Sequence, residues 1–171
     1  ERKNSPDGPY VQIVMLPADS TSYTDQGLNG NTTYIYSVRA LNAYTISSYS
    51  HEAMATTANN APATPSSPTP ADGSTDQLIN SILSWSGGDP DAGDVVTYDV
   101  YFGSSSNPPL ISTGQTETWF DPGTLELGRV YFWRVEATDS TGNIAVGPLW
   151  YFVTSFDLPK SLDTIAPDTS I

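Results

Sequence analysis

Asp89-Pro-Asp91-Ala-Gly-Asp94 is the densest acidic run in this 171-residue chain. Alternate aspartates beside a glycine are what a hard cation such as Ca2+ needs, several oxygens on a loop able to fold round it. The spacing departs from an EF-hand loop, and the same residues serve equally well as turn formers whose carboxylates bond nearby backbone. Both readings stay open on the sequence. Other acid–base chemistry has little material. His51, the single histidine, stands beside Glu52 near a run of strand-like residues, where such a side chain is ordinarily solvated rather than catalytic. Neither a Gly-x-Ser-x-Gly nucleophile motif nor a phosphate-cradling glycine loop occurs. Without cysteine there is no thiolate nucleophile, disulfide or cysteine-type zinc site. Carboxylates gathered on one loop also differ from the two opposed carboxylates of a glycosidase. The expectation is a non-enzyme with no required cofactor, Ca2+ being the one candidate.

Planar rings can stack on sugar faces, which directs attention to the four tryptophans, Trp85, Trp119, Trp133 and Trp150. Trp85 and Trp133 fall on inward-facing positions of alternating segments, leaving Trp119 and Trp150 as candidate glycan-stacking rings. Trp150 follows Gly147-Pro148 and alternates outward from Leu149 and Tyr151, with a cross-strand pairing to Arg134 or Phe132 as the plainer account. Asn31-Thr-Thr33 is an acceptor pattern for N-glycosylation. No Arg-Gly-Asp occurs, excluding integrin binding through that tripeptide.

These residues need a scaffold, and composition names its class. Six Lys+Arg against nineteen Asp+Glu give a net charge of −13, which repels nucleic-acid phosphates and anionic lipid headgroups. The longest apolar stretch, Leu149 to Val153, is far too short to span a bilayer, and Glu1-Arg2-Lys3 does not open a signal peptide. Plentiful Ser and Thr, 13 Gly, 14 Pro and 11% aromatics read as short strands joined by turns. An extracellular or cell-surface all-β protein is expected.

Sliding the chain over itself reveals a repeat. At an offset of 97, Leu28 and Tyr34 fall on Leu125 and Tyr131, Tyr36 on Trp133, Val38 on Val135, Ala40 on Ala137, Asn42 on Asp139 and Thr57 on Thr154. Backward, Tyr23 falls on Phe120, Val14 on Ile111 and Ile13 on Leu110. Both copies alternate with period two, so Tyr34, Tyr36, Val38 and Ala40 share one face, as do Tyr131, Trp133, Val135 and Ala137, while Ser37, Arg39, Arg134 and Glu136 face solvent. Leu83/Trp85, Val96/Tyr98/Val100/Phe102 and Leu149/Tyr151/Val153 continue the rule. The pattern is that of antiparallel sheets packed face to face.

Leu-x5-Tyr, then alternating Tyr/Val/Ala, then Asn or Asp and a Thr-ended strand resembles the second half of a fibronectin type III domain, the tyrosine being its tyrosine corner. Ile82-Leu83-Ser84-Trp85 is similar to that family's strand B and Thr97-Tyr98-Asp99-Val100-Tyr101 to its strand C. The resemblance implies tandem immunoglobulin-like, fibronectin type III β-sandwiches with Greek-key topology. Their expected bounds are an incomplete domain over 1–58, carrying strands C to G, a complete one over 59–155, and a tail or start of a further module over 156–171. It also places the loop holding Asp139 and Asn143 at the same end as the Asp89 run, so the implied calcium shell is Asp89, Asp91, Asp94, Asp139 and Asn143.

At this offset the first copy has no counterpart of residues 60–97. Exposed core faces on Tyr34, Tyr36 and Val38 are the expectation, covered by upstream chain or by strands from another copy. Ala61 to Pro70, with its four prolines, reads as a semi-rigid linker merging into an edge strand A. The implied role is a spacer, adhesin stalk or filament element, with two rivals: a carbohydrate-binding or accessory module of a secreted polysaccharide-acting enzyme, and a self-assembling filament subunit completed by strand donation. Expected partners are neighbouring domains, other copies or glycans, with no nucleic acid and no membrane insertion in this segment.

Overall fold

A computed structural model describes residues 1–157; the expected tail module falls almost wholly outside them. The described chain forms two compact units, residues 1–60 with 90–94, and residues 61–89 with those from 95 onward. All secondary structure among the described residues is β.

The first unit is a small antiparallel sheet of β1 (Arg2–Lys3), β2 (Thr33–Tyr36) and β3 (Ala53–Thr56), in that order. Tyr34 and Ile35 are both buried on β2, at 5% and 2% exposure, which breaks the strict alternation read from sequence. The Arg2 guanidinium lies 4.8 Å from the Tyr34 ring centroid and is bonded to Asp25 at 2.9 Å, while Asp25 also accepts from the Tyr36 hydroxyl. The expectation that Tyr34 presents a bare core face is therefore corrected: its own unit covers it. Val38 does stand exposed, at 69%. Ser37, expected in solvent, is buried because its hydroxyl bonds Ser50 and its amide donates to the Glu1 carbonyl. No strand forms over residues 12–32, so the positions matched to Leu110, Ile111 and Phe120 do not repeat their partners' structure.

The second unit is a sandwich. One sheet holds β4 (Ser66–Thr69), β6 (Leu83–Ser86) and β9 (Trp119–Phe120). The other runs β5 (Ser74–Gln77), β12 (Trp150–Thr154), β10 (Val130–Thr138), β7 (Thr97–Gly103), β8 (Leu110–Gln115), with β11 (Ile144–Val146) also on β10. Period-two alternation explains the core: Tyr131, Trp133, Val135 and Ala137 of β10 meet Leu83 and Trp85 of the facing sheet, with Tyr98, Val100 and Phe152 filling between them. Trp85 packs edge-on to Tyr98 at 5.5 Å and near Trp133 at 6.4 Å. The proline-rich stretch after Ala61 is no free linker, because β4 pairs with β6 and the Ala63 amide bonds the Gly88 carbonyl.

Both copies carry one hydrogen-bonded clasp, the physical content of the repeat. The Tyr34 hydroxyl accepts from the Asn29 amide at 3.0 Å, and Tyr131 accepts from the Glu126 amide at 3.0 Å. Thr57 Oγ1 donates to the Asn29 carbonyl and accepts from the Thr32 amide. Thr154 Oγ1 does the same with Glu126 and Arg129. The strand after the clasp keeps its register in both copies, Thr33 opposite Thr56 and Val130 opposite Val153. The strand before it does not. Arg2 lies opposite Tyr36, whereas Phe102 lies opposite the matching Trp133, so the correspondence there is 100 residues rather than 97.

Candidate functional site

The loop after β10 is organised by Asp139. Its carboxylate accepts from the Thr141 amide and hydroxyl and from the Asn143 amide and side chain, at 2.8–3.0 Å. In the other copy Asn42, at the matching position, accepts from the Tyr44 and Thr45 amides at 2.9 Å. A neutral amide thus performs the same turn-closing work. Of the five residues expected to hold calcium, Asp89 and Asp139 bring carboxylate oxygens within 4.8 Å of one another. Asp91 is engaged differently: it is buried and accepts from the Asn60 amide at 2.8 Å and the Asn60 side chain at 2.6 Å. Asn143 turns its amide nitrogen to Asp139.

The two candidate stacking rings part company. Trp150 is 4% exposed and packs on Trp133 at 4.7 Å, so the reading of it as a surface ring is corrected. The cause is a bulge. Val146 lies opposite Glu136 but Trp150 lies opposite Trp133, four residues on one strand against three on the other. One extra residue at Gly147–Leu149 turns every later side chain to the opposite face. Trp150, Phe152 and Thr154 point inward, and Leu149 and Tyr151 outward.

Trp119 is 52% exposed on the edge strand β9, opposite Ser84. It forms one wall of an open depression of about 350 Å3 lined also by Ser112, Gln115, Glu117, Phe120 and Asp121. Gln115 fixes the turn that presents the ring. Its side-chain nitrogen donates to the carbonyls of Glu117 and Trp119, both at 2.8 Å, and its oxygen accepts from Ser112 Oγ at 2.9 Å. Phe120 packs against the core behind it. Sequence reasoning found the tryptophan but missed Ser112, Gln115, Glu117 and Asp121. A glutamine four residues before an exposed tryptophan between two short strands was the available signal.

Asn31 is exposed in the turn before β2, with its amide bonded to the Ala58 carbonyl and a φ of 45°. His51 is exposed just before β3. No helix among the described residues is long and apolar enough to cross a membrane.

The strand order β4-β6-β9 against β12-β10-β7-β8, closed by the Tyr131 corner, is a fibronectin type III-like sandwich of the immunoglobulin-like class. No family model matches the chain. Over 154 residues it is 32% identical to Exoglucanase B of Cellulomonas fimi, covering 88% of this chain and 14% of that protein. Among solved structures, domains d3–d4 of the rat CD45 extracellular region align over 86% of this chain and 77% of theirs, with 17% identity and a TM-score of 0.48. A Fn3-like protein from Clostridium thermocellum aligns over 60% of this chain and 98% of its own, with 20% identity and a TM-score of 0.41.

Proposed function

We propose that this chain is a non-catalytic fibronectin type III-like accessory and spacer module of an extracellular polysaccharide-acting enzyme. The sequence similarity to Exoglucanase B carries the reading. Because the chain spans only a small part of that protein, the similarity concerns a module of it. The residues themselves support a passive role. Tyr131, Thr154 and Asp139 spend their polar atoms on the module's own backbone. Spacing then works through the sandwich as a folded volume of fixed size between neighbouring parts of a longer protein. Calcium at Asp89 and Asp139 and a glycan on Asn31 are further proposals.

The test fuses residues 1–171 to the catalytic domain of a β-glucanase. The isolated chain is expected to release no reducing sugar from β-glucan, and the fusion to leave turnover of a small soluble glycoside unchanged while altering activity on insoluble polysaccharide. Reducing sugar from the isolated chain, or an unaltered rate on the insoluble substrate, refutes the proposal.

One observation favours assembly as a second reading. Val38, Met54 and Tyr44 stand 69%, 71% and 94% exposed in the first unit, apolar side chains that a second copy could cover. Sedimentation over a wide concentration range decides it, a monomer throughout eliminating the filament and strand-donation ideas.

A further inference from the structure

We infer that the depression beside Trp119 is a binding subsite for a neutral glucan chain. The inference rests on the accessory-module reading and names what such a module holds. Three features converge on it.

Trp119 presents a half-exposed indole on an edge strand, although burying that ring is ordinarily favourable. Trp85, Trp133 and Trp150 are all in the core. The turn beneath Trp119 is held before any ligand arrives, because Gln115 spends both ends of its amide on Ser112, Glu117 and Trp119. That rigidity lowers the ordering cost of binding. The polar groups round the ring suit hydroxyls: Glu117 and Asp121 supply carboxylate acceptors and Ser112 a hydroxyl.

The same features select the ligand. Two carboxylates at the rim, on a chain of net charge −13, repel uronic-acid polymers, sulfated glycans and phosphates. A basic peptide would also meet the charge and could lay a guanidinium on the ring; the accessory-module reading selects the sugar, and an arginine-rich peptide that moves the Trp119 resonance where cellohexaose does not overturns the inference. An open depression of about 350 Å3 lies at the small end of the range for ligand sites. A volume of that order is enough for a sugar unit or two. Stacking of the pyranose C–H face on Trp119, with hydroxyls donating to Glu117 and Asp121, is the recognition proposed.

The experiment titrates cellohexaose into the full chain and follows the indole N–H resonances. The Trp119 signal is expected to move saturably, with the amides of residues 115–121, while those of Trp85, Trp133 and Trp150 stay in place. Trp119→Ala is expected to weaken association about tenfold or more, as removal of a central aromatic contact does, and Trp119→Tyr to retain most of it. Both variants should fold as the parent does, since Trp119 lies outside the buried cluster, and the melting temperature of each is compared with the parent's. Polygalacturonate should leave the spectrum unchanged. A Trp119 resonance unmoved by cellohexaose, or a Trp119→Ala variant that binds as well as the parent, overturns the inference. Failure here with the fusion still altering activity on insoluble substrate removes the subsite alone. Hydrolysis by the isolated chain removes the accessory reading and leaves binding to be judged by the titration.

Discussion

A hydroxyl at residue 131 and another at 154 hold the backbone of Glu126 from both sides, and the same pair recurs at 34 and 57 on Asn29. Tyr131→Phe keeps the ring in place and strands the Glu126 amide, at a cost of about 1–2 kcal/mol. Thr154→Val removes an acceptor and a donor from a fully buried site and costs about 1–3 kcal/mol. Because the two bond the amide and the carbonyl of one residue, Glu126, the double variant should lose less than the sum of the singles. Denaturant midpoints followed by tryptophan fluorescence, which reports the second unit alone, check all three. Asp139 offers a second residue-scale test. Asn42 closes the matching turn with a neutral side chain, and Asp139 stands close to the Asp89 carboxylate. Asp139→Asn should therefore be neutral or slightly stabilising in EDTA, whereas Asp139→Ala should cost about 1 kcal/mol or more. Repeating the melts with Ca2+ tests the cation separately. A calcium-dependent rise that Asp139→Asn abolishes would establish it, and equal melts would eliminate it.

Among the elements, β12 shows how one residue decides a face. The bulge at Gly147–Leu149 sets Trp150 inward and Tyr151 outward, and Gly147 makes it feasible by lying against β10. Its amide donates to the Val135 carbonyl at 2.8 Å, and a Cβ there would sit 2.8 Å from that oxygen and 3.2 Å from Pro65. Gly147→Ala should push β11 and β12 off β10 and cost about 1–3 kcal/mol, read as a lower unfolding midpoint and lost amide protection over residues 144–152. Retained stability would mean the bulge can relax, and the account of the flipped face would fail. The bulge was hidden in the sequence because Leu149-Trp-Tyr-Phe-Val153 is apolar at every position, so alternation carried no phase. On β10 the phase was plain: Arg134 and Glu136 sit between Trp133, Val135 and Ala137, and the burial follows the pattern residue by residue.

For the whole molecule, charge is the governing quantity. A surplus of acidic side chains adds a repulsion between copies at neutral pH, and protonation removes that repulsion as pH falls toward the isoelectric point of about 4.1 that the sequence implies. Light scattering should rise on approach to pH 4 and fall again once the net charge turns positive. Scattering that is flat across the range would show that something other than net charge keeps copies apart. The all-β class, the repeat and the tyrosine corner were legible in the sequence, because period-two alternation and a hydroxyl bond five residues back involve residues close along the chain. The sequence also named Trp119 among the rings open to solvent. Packing settled that Trp150 is core, that Asp91 bonds Asn60 and the threonine of each clasp its distant carbonyl, that Asp89 nears Asp139, and that Ser112, Gln115, Glu117 and Asp121 surround Trp119. Strand register, a one-residue bulge and the approach of separate loops settle those outcomes, and they arise from contacts between segments whose spacing along the chain carries no record of them.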